Sequence, residues 1–282
     1  MKQITEKIHI EDQLPGVTVG AICLPHGLIL VDAPPSIEDG RSWRASMMNL
    51  SSGIERVLIN LDSHYDRTLG ARAMDCPIIA HEKITEAFRS RPSSVKTQGE
   101  DTGADWESLP GIGTVRWSPP EISFTGKMAI QWNDTPVFIE SHDGPCNGAC
   151  WAIIPSEQVV FVGDLITKNQ PLFFSGANLA DWLTSIQILQ ERYPKFKVIA
   201  GRGGVASAND IAHTAEVITF VQTEIAKSGP KQNTNDLADK LTQSVLSMYT
   251  VSNKNKKQYE LRLQYGLKQY ILKHTRSAAA HS

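Results

Sequence analysis

The sequence predicts an α/β (α+β) fold, a four-layer αββα sandwich of two mixed β-sheets with helices outside. Three observations carry this reading. Short apolar runs rich in β-branched residues recur between Gly and Pro punctuation. They fall into two groups, one in each half of the chain. Each group ends in segments with helical spacing of apolar residues.

In the first half, Lys7–Ile10, Val17–Leu24 and Leu28–Asp32 read as strands, separated by Pro15-Gly16 and Pro25-His26-Gly27. Residues 36–50 read as a helix with Ser36 as N-cap. Ile54–Ile59 is the next strand, and a polar loop and a short helix near Thr68–Met74 follow it. Pro77–Ala80 forms another strand and Lys83–Arg89 a helix. Residues 90–111 are polar and rich in Gly, Ser and Thr, and read as a mobile excursion. In the second half, Met128–Trp132, Val137–Glu140, Trp151–Ile154 and Val159–Val162 are four strands. Asn133-Asp134 and Pro155-Ser156-Glu157 make turns between them. Leu179–Tyr193 is an amphipathic helix, Lys197–Ala200 a buried strand, and helices follow at about 208–227, 234–249 and 254–273. Trp132, Trp151 and Trp182 read as core. The lysines at 254, 256 and 257 read as a solvated helix face.

The 282 residues, 41% hydrophobic and 21% charged, suffice for one large α/β domain or two small ones. A net charge of −2 argues against a broad nucleic-acid or anionic-membrane surface. Met1–Glu6 is polar, without the apolar centre of a signal peptide, and no apolar run nears the roughly 18 residues of a membrane helix. The expectation is a cytoplasmic protein with neither nucleic-acid nor membrane partners. Four cysteines do not make a disulfide framework. Cys23 and Cys76 read as buried small hydrophobes, and Cys146 and Cys150 as free thiols, with a disulfide or ligation as the alternative.

The segment most charged with chemistry is Asn60-Leu61-Asp62-Ser63-His64-Tyr65-Asp66-Arg67, directly after the apolar run Val57-Leu58-Ile59. A histidine and carboxylates on alternating positions past a strand end can converge on one point, where they grip a metal or a polar ligand group. The segment resembles the His-x-His-x-Asp-His signature of the metallo-β-lactamase-fold hydrolases. Asp62 stands at the first histidine, His64 at the second, Asp66 at the aspartate and Arg67 at the last histidine. Three further landmarks keep the family's order. Gly27–Asp32 is an early strand ending in aspartate, Val159–Asp164 a strand ending in Gly-Asp, and Ile199–Gly204 matches the late strand ending in Pro-Gly-His-Gly. The resemblance covers about residues 8–227. It implies a metallo-β-lactamase-like domain over 1–229. The rest of the chain reads as a helical extension at 230–276 packed on the same domain and a disordered tail at 277–282. The aspartate at 164 is the one that bridges two metals in active relatives.

The departures bear on function. The family's third metal histidine falls at Pro145 or Asn147, with His142 upstream and Cys146 between as substitutes, and its final histidine has become Arg202. The candidate metal ligands are therefore Asp62, His64, Asp66, His142 and Asp164. Zinc takes three or four N, S or O ligands, so Asp62, His64 and His142 form one candidate site. Asp66 and Asp164 are candidates for a second, harder ion. Arg67 and Arg202 stand where neutral imidazoles face a cation, and a guanidinium is always charged. The simplest rearrangement sets either arginine against Asp66 and Asp164, in the charge role of a metal. The cofactor expectation is one divalent ion (zinc, manganese or iron), weakly held or absent, and no organic cofactor. His81 reads as a strand-end residue, and His9, His26, His213 and His274 have no motif context.

Two functional readings follow. One is a hydrolase with an incomplete or rearranged metal centre, with Asp66, Arg67 and Arg202 as its catalytic residues. Its substrate would be a small ester, thioester, lactone, amide or phosphoester. The other is a non-catalytic relative that binds a small anionic ligand through the pocket arginines. A third and weaker reading is a structural protein that dimerises through its C-terminal helices, so a homodimer is allowed.

Overall fold

The computed structural model of the chain describes residues 1–51, 53–91, 95, 101–132, 134–228 and 233–279, with backbone alone from 275 onward. The first sheet takes its strands in chain order. These are β1 (Lys2–Gln3), β2 (Ile8–Glu11), β3 (Val19–Cys23), β4 (Gly27–Val31), β5 (Glu55–Ile59), β6 (Ile78–His81) and β7 (Ile122–Phe124). Pairing is antiparallel from β1 to β4 and parallel from β4 to β7. The parallel steps need crossovers. Helix α1 (Ile37–Met48) supplies the first, and α2 (Glu82–Arg89) lies in the last. Ser36 caps α1 by accepting the Asp39 N–H at 3.0 Å.

The second sheet comprises β8 (Lys127–Ile130), β9 (Val137–Ser141), β10 (Cys150–Ile154), β11 (Val159–Phe161), β12 (Lys197–Ile199) and β13 (Val205–Ala206), again in spatial sequence. Only β11 and β12 pair in parallel, joined across α3 (Leu179–Arg192). Helices α4 (Ala208–Lys227), α5 (Thr234–Ser247) and α6 (Asn253–Ala279) complete the chain.

Strand alternation builds the layers. On β4 and β5, Ile29, Val31, Val57 and Ile59 face the second sheet, where they meet Ala152, Ile154 and Phe161. Their neighbours Leu28, Leu30 and Leu58 turn outward onto Trp43 and Met47 of α1. On the other sheet, Trp151 and Ile153 point out into a core with Trp182, Val217, Leu241 and Leu267. That outer core joins α5 and α6 to the sandwich. The two sheets approach closely at Gly20, where an added Cβ would lie 2.3 Å from the Phe161 ring.

Several segments differ from expectation. The short helix near Thr68–Met74 is two 3₁₀ turns, Tyr65–Arg67 and Ala71–Met74. Of the excursion at 90–111, residues 92–94 and 96–100 lie outside the described residues. The rest is anchored, with Trp106 in a 3₁₀ turn buried against Leu69, Val95 and Val115. Strands β1, β7 and β13 were not expected from the sequence; each has two or three residues and exposed positions. Helix α6 runs to Ala279, into the stretch expected as a disordered tail, and 280–282 lie outside the described residues. So do Asn133 of one predicted turn and the 229/230 domain boundary. Cys23 and Cys76 are half-buried, and all four thiols are free. Among the described residues no helix is long and apolar enough to cross a membrane.

Candidate functional site

Four strand ends bring the site together. Asp32 follows β4 in a left-handed conformation (φ 57°), which a short polar residue tolerates. The loop Leu61–Arg67 follows β5, Asp164 sits in the 3₁₀ turn Gly163–Leu165 after β11, and Arg202 lies just past β12. Gly201 makes the last approach feasible. A Cβ there would stand 2.6 Å from the Asp164 carboxylate and 2.5 Å from the Gly163 carbonyl carbon.

Arg67 is the hub. Its fully buried guanidinium pairs with Asp32 at 2.6 Å, with Asp62 at 3.0 Å, and with Asp164. Arg202 bridges the other side. Its Nε and Nη2 reach the two Asp164 oxygens at 3.2 and 3.3 Å, and Nη2 reaches Asp66 at 2.8 Å. Arg262, from α6, adds a second contact to Asp66 at 3.4 Å while its guanidinium lies 3.6 Å over the Phe173 ring. His64 turns Nδ1 toward Asp164 at 2.9 Å and Asp62 at 3.4 Å, and its backbone N–H donates to Asp62 at 2.8 Å. Its Nε2 is buried without a hydrogen-bond partner.

These contacts set the charges. Burial alone would raise the Asp164 carboxyl, but Arg202, Arg67 and His64 overcome it and hold the group well below the usual carboxylate range. Asp62 is likewise depressed against its burial by Arg67 and His64. Asp32 behaves differently: burial dominates and lifts it to about 7, although Arg67 pulls it down. Burial disfavours the His64 imidazolium, yet Asp62 and Asp164 win and raise it to about 9. Asp32, Asp62, Asp66 and Asp164 thus face Arg67, Arg202, Arg262 and a protonated His64, so the buried charge is close to balanced.

Asp62, His64 and Asp164 each offer one ligand atom, and these atoms lie within 4.8 Å of one another. That is a candidate metal group by spacing, but its donors do not fit a resident cation. Both Asp164 oxygens and Asp62 Oδ1 already face two guanidiniums and an imidazole, and Asp62 Oδ2 alone of these oxygens has no partner among the described residues. A divalent ion would add two charges beside guanidiniums that cannot deprotonate, among side chains that are almost wholly buried. It enters only if an arginine leaves.

The structure does not bring every candidate to this point. His142 is not in the cluster. It stacks on Trp151 at 3.6 Å and lies 3.4 Å from Glu140, on the outward face of the second sheet. One residue after β9, strand alternation has turned it away from the pocket. Asp66 is buried but stands outside the three-ligand group, taken up by Arg202 and Arg262. Cys146 is buried, and its thiol is pushed up by burial. His81 caps α2 by accepting the Lys83 N–H at 3.3 Å. Arg262, Arg91, Asp105 and the pairing role of Asp32 were missed. Asp105 lies 3.9 Å from Arg202 and accepts from Gln258 of α6 at 2.7 Å. Spacing held a signal: 258, 262 and 265 share one helix face, with Arg262 in the middle.

A cavity of 260 Å³ opens beside His64, walled by Tyr65, Trp106, Phe173, Arg91, Arg262 and Tyr265 among others.

The sequence matches no protein-family model and no curated protein. Solved structures do match. A metallo-β-lactamase from Pontibacter korlensis superposes with a TM-score of 0.60 at 17% identity, over 77% of this chain and 97% of that one. The chain has the metallo-β-lactamase fold. TMB-1 gives 0.58 at 16% identity over 78% and 97% of the two chains. The metallo-β-lactamase DIM-1 gives 0.59 at 15%, over 78% and 96%.

Proposed function

We propose that this chain uses the metallo-β-lactamase fold to bind a small anionic ligand in the pocket beside His64, with arginines in the charge role of metal ions. The observation that carries this is the placement of Arg67 and Arg202 between the carboxylates. Arg67 is wholly buried and Arg202 nearly so, and both are paired on two or more sides. Such forked pairs are rigid and directional. They answer Asp32, Asp164 and one oxygen each of Asp62 and Asp66, while Asp62 Oδ2 and Asp66 Oδ1 have no hydrogen-bond partner among the described residues. The neighbouring cavity is edged by the cations Arg91 and Arg262. The test is paired. Protein purified without chelator should carry less than one equivalent of zinc, manganese or iron, and EDTA should leave its melting temperature unchanged. Small organic anions should raise that temperature where their neutral analogues do not. Stoichiometric metal whose removal lowers the melting temperature would refute the reading.

A second reading, hydrolysis of a small ester, thioester, lactone, amide or phosphoester, is favoured by the 4.8 Å grouping of Asp62, His64 and Asp164. It requires one guanidinium to swing out and an ion to enter. Added Zn²⁺ or Mn²⁺ that both raises the melting temperature and elicits hydrolysis would establish it over the first.

A further inference from the structure

Arg91 is a cation that the charge network does not use. It follows α2 and forms no ion pair with the four carboxylates of the cluster. Its guanidinium carbon sits 4.6 Å from the Tyr65 ring centre, 4.1 Å from Phe88 and 4.3 Å from Trp117. Nη1 donates to the Thr68 hydroxyl at 3.2 Å, and Nη2 to the Ser63 carbonyl. The Thr68 hydroxyl is itself committed, donating to the His64 carbonyl at 2.9 Å. Three ring faces and two neutral acceptors hold the group in place but bring no full negative charge. Among the described residues no carboxylate pairs with it. Glu107, the acid that lines the same cavity, is turned to its own loop, where it accepts from the Thr102 N–H and hydroxyl and from the Ala104 N–H. Burial therefore pulls the guanidinium down to about 10, and the weaker influence of Tyr65 and Asp62 only partly offsets it.

A half-buried cation without a counter-ion among the described residues is costly, and proteins ordinarily pair one. The other cations at this cavity are answered: Arg262 by Asp66, and His64 by Asp62 and Asp164. Among the described residues Arg91 alone at this wall lacks an opposite charge, and it lines the cavity. We infer that Arg91 is the anchor for the ligand's anionic group, and that the ligand is a flat monocarboxylate. This rests on the proposed anion-binding reading of the same pocket. One unanswered positive charge calls for one negative charge, and a phosphate brings more than one at neutral pH. The fork of a guanidinium matches the two oxygens of a carboxylate. The body of the ligand follows from the walls. Tyr65 and Trp106, with ring centres 5.1 Å apart, line it, as do Phe173 and Tyr265, whose planes are 3° apart. A cavity of 260 Å³ lined by four aromatic side chains admits one or two fused rings.

The experiment uses the full chain and three probes: indole-3-carboxylate, its neutral carboxamide, and phenyl phosphate, each titrated calorimetrically. The parent should prefer the carboxylate over the carboxamide by about 10- to 100-fold, the range for a charge-assisted hydrogen bond at a desolvated site, and should bind the phosphate no better than the carboxamide. Arg91→Met should erase the preference while leaving carboxamide affinity unchanged, which also reports that the pocket is still formed. Removing an uncompensated buried charge should leave the ligand-free melting temperature of Arg91→Met equal to the parent's or higher. Retention of the preference in Arg91→Met, or its loss in Arg262→Met instead, would overturn the anchor and leave the anion-pocket reading standing. Loss of both probes in Arg91→Met, or a lowered ligand-free melting temperature, assigns Arg91 to the pocket's architecture and overturns the anchor too. Phosphate binding tighter than carboxylate overturns the ligand class. No saturable binding of either anion by the parent up to about 10 mM, where even a millimolar site is mostly filled, overturns both the anchor and the pocket reading.

Discussion

Replacing Arg202 with alanine tests the charge network directly. The guanidinium is 6% exposed and holds Asp66 at 2.8 Å and Asp164 at 3.2 Å, so solvent screens these pairs little. Breaking a buried pair by removing one partner costs about 3–5 kcal/mol, because the other charge is stranded. Here the stranding is partial. Asp164 keeps Arg67 and His64, and Asp66 keeps Arg262 at 3.4 Å. The expected loss is therefore about 2–4 kcal/mol. A chain of 282 residues unfolds with an entropy of about 0.6 kcal/mol/K, from roughly 2.1 cal/mol/K per residue, so the melting temperature should fall by about 3–7 °C. Asp66→Asn in the Arg202→Ala background should recover part of it, since the stranded charge is then gone. The pH dependence has a definite sign. Asp164 is depressed in the folded state, so its stabilisation is present above the unfolded value and disappears as pH falls through the folded one. Arg202 is one cause of that depression, so the gap between Arg202→Ala and the parent should hold from neutrality down to about pH 4 and close as pH falls further, toward the depressed folded value. Differential scanning calorimetry from about pH 2 to 8 reads both. Equal melting temperatures, or a gap that does not change with pH, would refute the network.

Arg202→His should make the protein responsive to metal. With one guanidinium gone, added Zn²⁺ should raise the variant's melting temperature and leave the parent's unchanged; no shift in the variant would mean that Arg67 alone excludes the ion. His64 is raised to about 9, so its contribution is complete below about 6.5 and is lost as pH rises through the folded value. The parent should lose roughly 2–3 kcal/mol between pH 7 and 10, and His64→Gln should flatten that limb of a urea-denaturation series. Gly20→Ala drives a methyl to 2.3 Å from Phe161, and overpacking of this kind costs about 1–3 kcal/mol, seen as a lower urea midpoint. An unchanged midpoint would mean that the two sheets part without strain.

Much of the sandwich was legible because its strands are buried on both faces and read as unbroken apolar runs, as in Leu28–Val31 and Val159–Val162. Strand β7 escaped notice because Ile122 and Ser123 are exposed and two prolines precede it; pairing with β6, rather than local preference, makes it a strand. The site was legible where a landmark fixed a strand end, as at Asp62, His64 and Asp164. Elsewhere a local shift of frame decided the outcome, and His142 falls on the wrong face for that reason. Arg262 and Arg91 were hidden for another cause. Each is delivered by a helix or its exit, and nothing in the sequence tells which helix face will meet a distant loop.

The partners in this network are made at different times. Asp66 and Arg202 are separated by 136 residues, and Asp66 and Arg262 by 196. At about 5–20 residues per second, the ribosome delivers the acidic loop roughly 7–27 s before its first distant cation. Through that interval Asp66 has neither of the arginines that answer it when buried. The first sheet can gather its apolar strands early, but its charged rim has reason to stay in water until Arg202 arrives. Folding of the N-terminal half should therefore remain reversible, and a chain arrested before residue 197 should stay open to protease around Leu61–Gly70. A resistant truncated chain would show that the acidic loop closes without either arginine.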